Sequence, residues 1–229
     1  MTYEELALDR HQAQRMENNR AIKVAAVALA EKHGFGNFTV EDLAAAANVS
    51  RRTFFNHFGS INEATKAALR DLLLDASETA MAQLTLRAAS EPLQSAAKLF
   101  EVASQALSQV DVTATIRQSC RVLGDNPRQS AAYGEFFGEV FNAITDDFAQ
   151  LTDSLAPSVS PFIRHLMVKI LLTSVEVCAE QWSRTAMHLP EAEGLSRWRE
   201  LYANALAEVS SGFNAQPRAT AAPASPETL

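Results

Sequence analysis

The residues with the most distinctive chemistry lie between Ser50 and His57, in the run SRRTFFNH. Two guanidinium groups, hydroxyls, an amide and aromatic rings at this spacing would share about two turns of a helix. Such groups suit phosphate oxygens, base edges and thymine methyl groups. Two arginines and a histidine also occur on ordinary solvated helix faces. The elements around them decide between the two interpretations.

Those elements predict two short helices joined by a tight turn. Thr39 precedes an apolar run and Asp42 follows three residues later, which is typical of a capped helix N-terminus. Asn48 is one of the few residues other than glycine that tolerates a left-handed backbone, so we expect the chain to turn there. Ser50 then offers a second N-cap. Together these signals predict a helix-turn-helix unit, which favours nucleic-acid contact over a merely solvated face.

Two further features support this unit. Phe54 and Phe58 are spaced i, i+4 and would pack inward from the second helix. A preceding helix, predicted from Glu17 to His33, has an apolar face that would brace the unit. Residues 1–16 are polar, and we expect them to fray; the alternatives are that they extend this helix or reach a minor groove with Arg10 and Arg15.

The stretch Thr39 to Phe58, TVEDLAAAANVSRRTFFNHF, resembles the DNA-binding signature of the TetR-like (tetracycline-repressor) family. Three positions depart from that signature: Asn48 replaces a turn glycine, Phe55 replaces tyrosine, and Asn62 stands where a phosphate-contacting lysine is common. The resemblance implies a homodimeric regulator, usually a repressor, that leaves operator DNA when a small molecule binds. The predicted DNA-contacting residues are Thr39, Ser50, Arg51, Arg52, Thr53, Phe55, Asn56, His57 and Asn62.

The charge distribution is compatible with DNA binding at one end of the chain. The net charge of the 229 residues is −7, which by itself argues against a nucleic-acid binder. From Arg10 to Phe58, however, seven basic residues stand against four acidic ones, whereas the rest of the chain from Gly59 is acidic. A basic end on an acidic protein favours docking of that end on phosphates.

Helical periodicity predicts an all-α protein in two parts. Residues 10–60 would form the DNA-binding domain and residues 61–213 a helical domain for ligand binding and dimerisation. The Ala/Pro/Ser-rich segment 214–229 predicts a disordered tail. Within the second domain, Ser90 and Pro92 predict the start of a helix.

Polar residues interrupt the apolar stripes of the second domain and suggest a ligand pocket. The alternative is that these residues face solvent and the phenylalanines fill a solid core. The family resemblance favours a pocket for an apolar or aromatic molecule, with an anionic group facing Arg117. The candidate pocket residues are Arg117, Gln118, Tyr133, Phe137, Phe141 and Asn142.

The last two predicted helices carry wide apolar faces, which suggests burial against a second copy of the chain. Leu166 and Ile170 represent the first of these helices, and Leu201 and Tyr202 the second. We expect these four residues at a dimer interface.

Other functions are disfavoured by missing motifs. The five histidines are scattered, and the sequence has no zinc-protease, serine-hydrolase or phosphate-loop motif, so we expect neither an enzyme nor a bound cofactor or metal. An apolar run of membrane-spanning length and a secretion signal are also missing, so a cytoplasmic protein is expected. Two alternatives stay open: a helical protein-interaction module without DNA binding, and a regulator that needs no ligand.

Overall fold

The computed structural model describes residues 3–123 and 131–211, and the side chains of residues 11–123 and 134–211. These ranges consist of helices and the connections between them and contain no β-strand, which confirms the all-α prediction. The helices are α1 (Tyr3–His33), α2 (Val40–Ala46), α3 (Arg51–His57), α4 (Ile61–Ser90), α5 (Ala96–Ser108), α6 (Thr113–Leu123), α7 (Ala131–Leu155), α8 (Pro161–Thr185) and α9 (Glu191–Ser211).

Helices α1–α3, which we call the head, pack around the buried side chains of Ile22, Leu43 and Phe54. The expectation that residues 1–16 fray was wrong for the described residues, because α1 begins at Tyr3. Good helix formers such as Glu, Leu, Ala and Gln fill this segment and extend the helix. Gly34 directly follows the last residue of α1, and its φ of 86° is accessible to glycine at little cost.

Helices α4–α9, which we call the body, are arranged around α4. This helix starts beside α3, packs along α1, and continues between α5 and α7. The predicted helix start at Ser90 was wrong, because Ser90 is the last residue of α4. Ser95 is the N-cap of α5, with its side chain accepting a hydrogen bond from the Lys98 amide at 3.2 Å.

A buried arginine closes the connection between α7 and α8. Arg164 is 7% exposed; its Nε donates to Asp153 Oδ1 at 2.8 Å, and its Nη1 donates to the Ala156 carbonyl at 3.1 Å and to the Val159 carbonyl. The guanidinium therefore binds backbone carbonyl groups in the connection that follows α7. The predicted disordered tail, residues 214–229, lies outside the described residues.

Candidate nucleic-acid interface and body cavity

The helix-turn-helix geometry predicted from the sequence is present. Thr39 and Asp42 form a capping box: the Asp42 amide donates to Thr39 Oγ1 at 3.1 Å, and the Thr39 amide donates to Asp42 Oδ2 at 2.9 Å. The hydrogen bond from the Thr39 hydroxyl is the main reason that the pKa of Asp42 is lowered. Asn48 has a φ of 53° in the turn, and the Ser50 hydroxyl accepts from the Thr53 amide at 3.0 Å.

Helix α3 is anchored on one side and exposed on the other. Phe54 is fully buried and Phe58 nearly so, with their ring centroids 6.3 Å apart. On the opposite side Arg52 and Asn56 are exposed, and Phe55 is 52% exposed. The edge-on contact of Phe55 with the Phe54 ring, at 5.1 Å between centroids, fixes its orientation. The outer face thus presents a positive group, an amide and an aromatic ring on a rigid support.

Several of the predicted contact residues interact with other residues of the head. Arg51 pairs with Glu41 at 2.7 Å, so its guanidinium bridges α3 to α2. Thr53 Oγ1 lies 2.8 Å from Ser50 Oγ, and the two hydroxyls share a hydrogen bond. The pKa of His57 is lowered, first by partial burial and then by the charge of Arg15. His57 is therefore mainly neutral at neutral pH and offers a phosphate a single ring N–H donor instead of a positive charge.

The first turn of α4 borders the same surface. Ser60 is its N-cap, and Glu63 accepts a hydrogen bond from the Gly59 amide at 2.7 Å. Asn62 is exposed in this turn and lies beside Gly36 of the α1–α2 loop. The Glu63 carboxylate therefore already occupies the positive end of this helix, and position 62 offers only a neutral amide group.

The sequence of the head matches a known family. Residues 22–68 match the family model described as bacterial regulatory proteins of the tetR family. Residues 22–68 therefore carry a tetR-family domain. The matched range contains α2, α3, both N-caps and Asn62. No curated protein sequence matches this chain.

Solved structures of bacterial proteins share the fold of this chain. A protein of Syntrophomonas wolfei aligns with a TM-score of 0.59 at 14% identity, over 88% of this chain and 99% of that one. A protein of Mesorhizobium loti aligns with a TM-score of 0.55 at 16% identity, over 84% and 96%. Both are assigned to the TetR family of transcriptional regulators. The likeness extends across head and body and therefore concerns the whole fold.

The body contains an apolar, partly open cavity of about 100 Å³. Every helix from α4 to α9 contributes to its wall, so the cavity lies at the centre of the body. Residues from α4 matter most for coupling because α4 also contacts the head. The lining residues are Leu73, Ala76, Ser77, Ala80, Leu107, Val110, Val112, Thr115, Ile116, Phe141, Ile144, Phe148, Leu172, Val175, Ala179 and Trp198.

Only Phe141 of the predicted pocket residues with described side chains lines this cavity. Phe137 instead packs edge-on against Phe136 with centroids 5.3 Å apart, and Asn142 is exposed. Gln118 lies in a surface groove between α1 and α4. The side chain of Tyr133 lies outside the described residues. Trp198, which the sequence indicated only as part of an apolar stripe, is a lining residue that was not predicted.

The role predicted for Arg117 is corrected by its contacts. Its Nη2 donates to the Leu189 carbonyl at 2.9 Å and its Nη1 donates to the Met187 carbonyl. The guanidinium also lies over the Trp182 ring, 4.9 Å from the centroid. These contacts hold α6 to the connection between α8 and α9. The charge is therefore used for structure and does not face the cavity.

The four predicted dimer residues divide into exposed and buried positions. On α8, Leu166 is 42% exposed and Ile170 is half-buried. On α9, Leu201 is half-buried and packs against the core, and Tyr202 is 1% exposed with its ring stacked on Trp198 at 5.7 Å. The assignment of Tyr202 to the dimer surface is therefore corrected, because its ring belongs to the interior of its own chain.

Helix α8 has a further exposed apolar surface. Phe162 is 73% exposed and Val177 is 59% exposed. With Leu166, these side chains fall within roughly 60° of one another around the helix axis. We call Phe162, Leu166 and Val177 the α8 stripe.

Two absences among the described residues bear on function. No group of three or more His, Cys, Asp or Glu side chains is arranged to hold a metal ion within the described part of the chain. Among the helices that the structure describes, none is sufficiently long and apolar to cross a membrane.

Proposed function

We propose that the protein is a cytoplasmic, homodimeric DNA-binding transcriptional regulator that represses by occupying an operator and leaves it when a small molecule enters the body cavity. Residues 10–60 would be its DNA-binding domain, and residues 61–213 its ligand-binding and dimerisation domain. The observation that carries the proposal is the exposed face of α3 on a capped, tightly packed helix-turn-helix. The family match over residues 22–68 supports it.

The side chains on the outer face of α3 fall into two chemical groups: those suited to contact bases and those suited to contact phosphates. Arg52 is exposed and has a guanidinium that fits the O6 and N7 acceptors of guanine or a phosphate. Asn56, one turn further, fits adenine, and the Phe55 ring fits a thymine methyl group. Arg51 would exchange its surface ion pair with Glu41 for a phosphate, a small loss because exposed pairs contribute little. Thr53 would contribute a phosphate contact.

This assignment is tested by selecting an operator from random duplexes and measuring affinity by gel shift. Arg52→Ala and Asn56→Ala should each weaken the selected site by about 1–3 kcal/mol if they read bases. A variant that loses only a phosphate contact should weaken all sequences alike and lower the salt slope by about one. Arg199→Ala removes the same charge from an exposed position of α9 and is the matched control. Unchanged affinity in both α3 variants would refute the assignment.

Dimerisation through α8 and α9 is proposed because two heads must reach successive major grooves about 34–36 Å apart. The α8 stripe supports this, since three large apolar side chains on one helix face are exposed in the single chain. Leu166→Asp would bury an unpaired charge in such a contact, and sedimentation should then show monomers. Leu86→Asp changes a leucine that is 66% exposed on α4, outside the two proposed interface helices, and should leave the assembly intact. If Leu166→Asp still forms a dimer, the dimer interface lies on another surface.

Release by a ligand is proposed from the position of the cavity beside α4. Leu73, Ala76 and Ala80 form part of its wall, and the same helix packs against α1 of the head. A molecule that favours a shifted α4 would change the spacing of the two heads. Operator DNA must then weaken binding of that molecule by the same factor, about 5–150-fold for a coupling of 1–3 kcal/mol. Equal ligand affinities with and without operator, measured by calorimetry, would contradict this mechanism.

A further inference from the structure

Phe55 places an apolar ring on a helix face that otherwise carries polar groups. We infer that this ring reads the C5-methyl group of a pyrimidine in the major groove, whether thymine or 5-methylcytosine carries it. On the proposed function, on which this step rests, the affinity for an operator then depends on a methyl group of the DNA. Cytosine methylation at one base of the operator would therefore change its occupancy.

The position of the ring sets it apart from an incidental surface residue. Phe55 is 52% exposed, and among the described side chains of α2 and α3 it is the only large hydrophobic one that is exposed. Single exposed apolar side chains are common on protein surfaces and do not require a ligand. Phe55, however, lies three residues from Arg52 and next to Asn56, two exposed side chains that fit base edges. The ring therefore belongs to the surface proposed to face the bases.

The ring is also held in place by the core of the head. Phe54 is fully buried, and Phe55 packs against it with 5.1 Å between the ring centroids and 73° between the ring planes. Edge-on aromatic pairs of this kind are favourable, so the Phe55 ring is oriented before DNA binds. A side chain that is already ordered loses little conformational entropy on binding. Phe55 thus presents a fixed apolar surface to a small apolar group.

The chemistry of phenylalanine limits what this ring can distinguish. Among the four unmodified bases, thymine alone presents a methyl group in the major groove, beside its O4 acceptor. Methylation of cytosine at C5 places the same group at the same ring position, beside an amino donor. Phe55 has no atom that could donate to O4 or accept from the amino group. To this ring thymine and 5-methylcytosine are therefore equivalent, and so are uracil and unmethylated cytosine.

The neighbouring Arg52 indicates where the sensitive base lies. Side chains three residues apart on a helix have Cβ atoms about 5–6 Å from each other. Successive bases of one strand are spaced by about 3.4 Å along the DNA axis. If Arg52 binds a guanine, the pyrimidine under Phe55 should be within two base pairs of it. The guanine is identified as the position at which Arg52→Ala relaxes the base preference.

Base analogues test the inference without altering base pairing. Each thymine in one half of the selected operator is replaced in turn by uracil, which removes only the C5-methyl group. At one of these positions, gel shifts with the full chain should show about fourfold weaker binding, the effect expected for one methyl group removed from an apolar contact. A cytosine–guanine pair is then placed at this position, and 5-methylation of its cytosine should strengthen binding by about the same factor.

Phe55→Ala assigns the methyl effect to the ring. This variant should bind the thymine and uracil operators equally, and likewise the operators with methylated and unmethylated cytosine. Leu86→Ala removes another exposed apolar side chain, on α4, and is the matched control that should retain the fourfold differences. Circular dichroism spectra establish that both variants are folded. The comparison of base analogues on the parent chain needs neither variant.

The inference is overturned if uracil replaces every thymine of the bound operator without loss of affinity. It is also overturned if methylation of cytosine at the sensitive position has no effect, or if Phe55→Ala keeps the preference for the methyl group. The proposed function fails by a different result, the absence of any sequence-selective binding by the parent chain. Selective binding that ignores the methyl group would remove the inference alone.

Discussion

Replacement of Arg117 by methionine distinguishes a structural from a ligand-binding role for this residue. Methionine has a similar length and would retain part of the apolar contact, but it removes the donors to Leu189 and Met187 and the cation over Trp182. Both carbonyls lie about 70 residues away in sequence. The substitution therefore releases a contact between α6 and the α8–α9 connection.

The expected cost follows from these contacts. A hydrogen bond from a charged donor contributes about 1.5–3 kcal/mol, and the lower end applies here because Arg117 is only partly buried. The cation over the indole adds about 0.5–1 kcal/mol. Two such bonds and the ring contact together give roughly 3–4 kcal/mol. With a urea dependence of about 2–3 kcal/mol per molar, the unfolding midpoint should fall by about 1–2 M.

Urea unfolding followed by circular dichroism measures this change. Arg121→Met is the control, because Arg121 lies on the same helix as Arg117 but forms only a surface ion pair, at 3.2 Å, with Glu31 of α1. Its replacement should cost at most about 1 kcal/mol. An unfolding midpoint for Arg117→Met equal to that of the parent chain would refute the structural role. If Arg117→Met also abolished the binding of an anionic effector, this result would support the contact between Arg117 and the ligand that the sequence predicted.

Three further outcomes are expected from the described contacts. Asn48→Val should destabilise the chain by about 1–2 kcal/mol in urea unfolding, since its φ of 53° is unfavourable for a β-branched residue, whereas Asn48→Gly should be tolerated. The hydrogen bonds from Thr39 lower the pKa of Asp42 from 3.8, so the ionised carboxylate stabilises the fold above pH 3.8, and this stabilisation is lost as the pH falls through the lower folded pKa. In an NMR titration, Thr39→Val should move the midpoint of the Asp42 carboxyl back up toward 3.8. Burial raises the pKa of Cys178, so its thiol should react with iodoacetamide far more slowly in the native chain than in urea, and rapid native alkylation would contradict its burial.

The head could be predicted from the sequence in detail because its signals are local. Thr39 and Ser50 cap helices with amides only three residues away, and Asn48 determines the turn through its own backbone preference. Nothing distant in the chain is needed for these structures to form. The prediction of which α3 side chains face outward followed from the two buried phenylalanines at i, i+4.

The body was predicted less well because contacts between residues distant in sequence determine which of its side chains are buried and where its helices begin. Arg117 resembles a ligand contact in sequence, but its partners are carbonyl groups of another helix connection. Tyr202 lies on a helix with apolar residues around much of its circumference, so periodicity alone did not determine which side faces the core. Ser90 and Ser95 are both plausible caps, and packing of α4 decided that the first of them ends a helix.

Helix α1 sets a limit on how this protein can be recombined with others. It packs against α2 and α3, but it also runs along α4, where Lys23 pairs with Asp71, and reaches α6, where Glu31 meets Arg121. A chimera joined at residue 60 would place a foreign α1 against this α4 and α6 and would lose both ion pairs together with the fitted surface around them. We therefore expect that the DNA specificity of this chain is transferred best by exchanging only the outward residues of α3. The recipient protein then keeps its own α1, fitted to its own α4 and α6.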